Sequence, residues 1–129
     1  MGFATAEIDI AKDPQEVWAV AGDFGGIGKW MPGVESCIVV ANGDDRVLRM
    51  MGMEITERLE KRDDEERVLV YGIVGGVPVG NHRATVSVMP SAGGCRVTWD
   101  VEVEPDTMTD LMQQTYAGAL QALKEYVGG

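Results

Sequence analysis

Residues 107–127, TMTDLMQQTYAGALQALKEYV, decide the fold. Met108, Leu111, Met112, Thr115, Tyr116, Ala119, Leu120, Leu123 and Val127 recur at three- and four-residue steps, which puts them on one face of a long amphipathic helix. Pro105 and Asp106 precede it, and Thr107 stands three residues before Asp110, a spacing that can cap free backbone N–H groups. Gly128 and Gly129 end it. Such a helix needs an apolar surface to rest on, and most of the chain before it reads as strands. The expectation is a sheet beneath the helix, with Leu120, Leu123 and Val127 packing on it and Met112 and Tyr116 over any hollow.

Working back from the helix, strands are expected at Cys95–Glu104, Asn81–Met89, Arg67–Val74, Glu54–Arg62, Arg46–Met51 and Val34–Ala41. They are separated by Gly-, Asn-, Asp- and Pro-rich turns, and such short links imply antiparallel neighbours. Alternation assigns the faces. Val97, Trp99, Val101 and Val103 share one side of their strand. His82, Ala84, Val86 and Val88 share one side of theirs, as do Ile55, Glu57 and Leu59. Leu69, Tyr71 and Ile73 form a further set. At the start of the chain Ala6, Ile8 and Ile10 alternate with Glu7 and Asp9 in another strand. Asp13 and Pro14 then open a short helix bearing Val17, Trp18, Val20 and Ala21. Asp23–Gly28 reads as a second short helix, and Gly28–Gly33 as a loop carrying Trp30 and Met31.

Composition narrows the function. The length of 129 residues suits a single domain over 1–129 with its own core. Eleven basic against 21 acidic residues give a net charge of −10, which disfavours nucleic acid and anionic membrane surfaces as partners. There is no signal-peptide pattern and no apolar run near the roughly 20 residues of a membrane span, so a cytoplasmic location is expected. Cys37 and Cys95 are too few and too far apart for a metal pattern. The glycines around Pro78 lack the lysine and hydroxyl ending of a phosphate loop. No metal and no cofactor is expected.

Seven antiparallel strands, two short helices between the first and second, and a long closing helix make an α+β protein. Within this frame the chain resembles the helix-grip, START-like superfamily that includes the birch pollen allergen, and more closely its bacterial polyketide cyclase/dehydrase, or SRPBCC, branch. The resemblance rests on Pro14-Gln15-Glu16-Val17-Trp18, Asp23-Phe24-Gly25-Gly26, Trp30-Met31-Pro32-Gly33-Val34 and Glu57-Arg58-Leu59. It continues through Tyr71-Gly72-Ile73, Pro78-Val79-Gly80-Asn81 and Val97-Thr98-Trp99. It implies a curved sheet wrapped around the C-terminal helix, with a cavity between them for an apolar or amphipathic small molecule. These motifs are structural and not catalytic.

The candidate lining is Trp30, Met31, Met50, Tyr71, Ile73, His82, Trp99, Met108, Met112 and Tyr116. Glu57 on an inward face must be paired, hydrogen-bonded or protonated, with Arg46 or Arg49 as the neighbouring cations. Three readings follow. The first is a carrier or binding protein for a small hydrophobic or aromatic molecule. The second is a cyclase or dehydratase in which His82 and Glu57 transfer protons and Tyr71 or Tyr116 donates to an enolate oxygen. The third is a homodimeric interaction module with a filled core. Gly118 inside the closing helix suggests either close packing or space for a ligand.

Overall fold

The alternating faces close into one antiparallel sheet in the computed structural model, which describes all 129 residues. Its strands are β1 (Gly2–Ile10), β2 (Val34–Val40), β3 (Asp45–Met50), β4 (Met53–Asp63), β5 (Val68–Gly75), β6 (Asn81–Ser91) and β7 (Gly94–Glu104). Their spatial order is β1-β7-β6-β5-β4-β3-β2, so β1 and β2 are the two edges. Between those edge strands run α1 (Pro14–Ala21) and a 3-10 segment, Phe24–Lys29. The closing helix, α2 (Thr109–Val127), lies across the concave face, making the architecture a seven-stranded helix-grip fold.

Local chemistry accounts for these elements. The Asp13 carboxylate caps α1 by accepting a 2.8 Å hydrogen bond from the Gln15 N–H, with Pro14 in the first turn. The inward positions of β1 are Gly2, Ala4 and Ala6, small residues that let α2 approach. A Cβ on Gly2 would collide with the Thr109 side chain. This run carries the alternation of Ala6, Ile8 and Ile10 back to Gly2. The Gln113 amide then ties α2 to that edge strand, accepting from Thr5 N–H at 3.0 Å and donating to Thr5 C=O. Register shifts in the β4–β5 pairing mark the bulges that help to curve the sheet.

Leu120, Leu123 and Ala119 are almost fully buried beneath α2, as its spacing predicts. Three expectations for the helix need correction. Thr107 caps nothing, because Asp106–Met108 forms a 3-10 turn and α2 begins at Thr109 with no side-chain cap. Leu111 is 50% exposed, since the buried stripe is narrower than the apolar one. Gly118 is exposed with nothing within 4 Å of a Cβ placed on it, so neither close packing nor a ligand explains it. Gly128, in contrast, ends α2 in a left-handed conformation at φ 81°.

Gly118→Ala is therefore expected to stabilise the protein by about 1 kcal/mol, the helix-propensity difference at an exposed interior site. Denaturant unfolding checks this, and a destabilised variant would show a constraint at Gly118 beyond helix geometry.

Candidate functional site

The inward charge on β4 has its partner directly across the β3–β4 ladder, where Arg46 is paired in register with Glu57. Arg46 Nε donates to Glu57 Oε1 at 2.8 Å, and Arg46 Nη1 donates to the Phe24 carbonyl at 2.8 Å. The guanidinium lies between two rings, 4.2 Å from the Phe24 centroid and 4.7 Å from that of Tyr71. Arg46 is 1% exposed and Glu57 6% exposed. Burial pushes the Glu57 carboxyl above its ordinary pKa, against the opposing pull of Arg46. Arg49 is instead on the exposed side, paired with Glu54.

Beside this ion pair lies a cluster of aromatic polar groups. Trp99 Nε1 donates to the Tyr71 hydroxyl at 3.2 Å, and the Trp99 and Tyr116 rings stack at 4.4 Å between centroids. The Tyr116 hydroxyl and His82 Nε2 are 3.0 Å apart. His82 Nδ1 accepts from the Ile73 N–H at 3.2 Å, which leaves the proton of the neutral ring on Nε2, as donor to Tyr116. Burial lowers the His82 pKa to about 4 and raises those of both phenols, so all three groups are neutral at pH 7.

The Ile73–His82 contact marks a split in the sheet. The β5–β6 pairing runs from Val68/Ser87 to Tyr71/Ala84 and stops there. Beyond it an open groove of about 690 Å³ forms, bordered by Ile73, Val77, Val79, Arg58, Arg83 and His82. His82 thus borders this groove and also bonds to Tyr116 in the interior. The interior itself is tightly closed. A cavity of about 10 Å³, lined in part by Trp30, Arg46, Tyr71, Trp99 and Leu120, is the space between sheet and helix there.

Of the expected lining, Trp30, Tyr71 and Trp99 border the small cavity, Ile73 and His82 border the open groove, and Met31, Met50, Met108, Met112 and Tyr116 border neither. Met31, Met50, Tyr71, His82, Trp99, Met112 and Tyr116 are buried, while Trp30, Ile73 and Met108 are half-buried. Met51 and Met53 point to solvent. The junction does not hold the ligand-sized hollow expected of it: its cavity is about 10 Å³, and Trp99 and Tyr116 stack there. Nor do His82 and Glu57 form a proton-sharing pair: one is bonded to Ile73 and Tyr116, the other to Arg46. Sequence reading missed Phe24 as a cover for Arg46, and it missed the β5–β6 split. The Gly72, Gly75, Gly76 and Gly80 run was the available signal for the split. No three His, Cys, Asp or Glu side chains gather closely enough to hold a metal ion.

Comparison with known proteins agrees with this geometry. A family described as polyketide cyclase/dehydrase and lipid transport matches residues 1–128. No curated protein matches the sequence significantly. Among solved structures, the chain is similar to the protein XoxI from Bacillus cereus, at 28% identity and a TM-score of 0.92 over 98% of this chain and 96% of that one. A Thermobifida fusca protein is 27% identical with a TM-score of 0.85, covering 99% and 94% of the respective chains. A START superfamily protein from Mycobacterium smegmatis shares the fold, at 17% identity and a TM-score of 0.78 over 99% and 98%.

Two outcomes are expected at this cluster. Arg46→Met leaves a buried carboxylate without its partner and should lower stability by about 3–5 kcal/mol, whereas adding Glu57→Leu should restore most of the loss. Unfolding midpoints of the single and double variants decide this. For His82, the unfolded chain takes up a proton near pH 6.5 that the native ring resists until about pH 4. Its contribution is intact above pH 6.5 and is lost as pH falls through that window. The stability advantage of the wild type over His82→Gln should shrink by about 3 kcal/mol across it. A histidine NMR titration midpoint near 6.5 would contradict the assignment.

Proposed function

Because the chain belongs to the polyketide cyclase/dehydrase and lipid transport family, we propose that it binds a small hydrophobic or aromatic molecule between α2 and the concave sheet. Tyr71, Trp99, Tyr116, Met112 and Trp30 form the walls of this site, and His82 stands at its mouth. The observation that carries the reading is the polar content of the deepest core. A fully desolvated Arg46–Glu57 pair sits beside hydroxyl, indole and imidazole groups where apolar residues of equal volume would serve stability as well or better.

The closed junction described above is then the unliganded state, and a ligand must displace side chains to enter. We take the groove at the β5–β6 split as the route of access, with the glycine-rich connection from Gly75 to Gly80 along its border. Binding is favoured over proton-transfer catalysis because the candidate bases are already engaged. His82 has its Nδ1 lone pair on the Ile73 N–H, and Glu57 is held by Arg46.

The test is native mass spectrometry of freshly purified protein, followed by titration with N-phenyl-1-naphthylamine under amide and indole NMR detection. A retained small molecule, or dye-induced shifts confined to Trp30, Tyr71, Trp99 and Tyr116, is the expected result. An interior unmoved by dye, with no retained molecule, would refute the proposal and favour a filled-core interaction module.

A further inference from the structure

His82 is held by different neighbours at its main chain and at its ring. The main chain is paired with Val103 on β7, and Ile73 on the facing strand is paired with Glu57 on β4. Both strands are thus fixed on their far sides, while the β5–β6 ladder between them has stopped at Tyr71 and Ala84. The ring bridges what remains open. Its Nδ1 accepts from the Ile73 N–H at 3.2 Å, and its Nε2 donates to the Tyr116 hydroxyl at 3.0 Å. His82 borders the groove, and its ring centroid is 6.0 Å from that of Tyr71, a residue lining the small interior cavity. Gly72 lets the strands come this close, since a Cβ there would lie 2.6 Å from the His82 carbonyl oxygen.

We propose that the His82 ring is the closure between the groove and the interior site, and that turning it opens the passage by releasing Ile73 and Tyr116 in one step. This inference rests on the binding reading above and names how that site is opened. The two ring nitrogens lie on opposite edges of the imidazole, so a turn about the side-chain bonds breaks both hydrogen bonds together. Each bond between neutral partners favours the closed state by about 2- to 12-fold. Neither flanking strand has to leave its outer partner, because the main-chain pairings with β4 and β7 do not involve the ring. Room for the turn exists on one side only, in the groove of about 690 Å³ and not in the interior cavity of about 10 Å³. Opening toward the groove therefore moves a side chain where strand separation would have to break a ladder.

The experiment has one arm without ligand and one with it. Amide exchange is followed by NMR in the wild type and in Tyr116→Phe, which removes the bond on the helix side of the ring and leaves Ile73 and His82 in place. The Ile73 amide is expected to exchange about fivefold faster in the variant, while Leu69, in the intact part of the β5–β6 ladder, keeps its rate. An unchanged Ile73 rate, or an equal rise at Leu69, overturns the coupled release. In the second arm, association of N-phenyl-1-naphthylamine is timed by stopped-flow fluorescence in the wild type and in His82→Phe, which keeps a ring and loses both bonds. Association about tenfold faster is expected, and an unchanged association rate overturns the closure. If His82→Phe does not fold, association is timed in Tyr116→Phe, where about fivefold is expected. Dye that binds the wild type while these rates stay put leaves the interior site standing and removes only its closure. If the wild type takes up no dye, both readings fall.

Discussion

The Arg46–Glu57 pair is the constraint around which the sheet–helix junction is arranged. Two opposite charges sit directly across β3 and β4 on the concave face, out of contact with water. Such a pair is tolerable only when its remaining hydrogen-bonding capacity is met nearby. The Phe24 carbonyl and the two flanking rings meet much of it, so the 3-10 segment after α1 and strand β5 are drawn onto the same side chain. The pair also fixes register. A one-residue slip of either strand would turn one charge outward and leave the other alone in the core.

This arrangement explains why the strands, their faces and the helix were legible while the site was only partly so. Clean alternation in Asn81–Val88 and Cys95–Glu104 placed His82 and Trp99 inward, and both are buried there. Glu57 was recognisable as a buried carboxylate because Ile55 and Leu59 flank it at two-residue spacing. Its partner was narrowed to two arginines but not chosen, although the three-residue step between them puts them on opposite faces of the strand. Arg46 shares the inward face with Leu48 and Met50, while Arg49 is outward. Leu111 was misplaced because amphipathic spacing says nothing about how far a curved sheet extends beneath a helix.

The contracted interior was not legible at all. Volume between a sheet and a helix depends on how large side chains from both sides interleave. Here Trp99 and Tyr116 stack flat against each other and close the space. The residue types that suggest a roomy aromatic pocket are the same ones that fill it when no guest is present. Polarity distinguishes this interior from an ordinary core, because Trp99 bonds the Tyr71 hydroxyl, His82 pairs with the Tyr116 hydroxyl, and the Arg46 guanidinium bonds Glu57 and the Phe24 carbonyl.

The Ile73 amide ends its strand pairing on a ring nitrogen and not on a carbonyl. Ladder bonds shift only when whole strands shift, but an imidazole can rotate about its own side-chain bonds. A single rotation of His82 would release an amide on β5 and a hydroxyl on α2 together. Sheet width and helix seating are therefore not independent coordinates in this molecule. They share one contact, the His82 ring, which takes a strand amide on one nitrogen and a helix hydroxyl on the other.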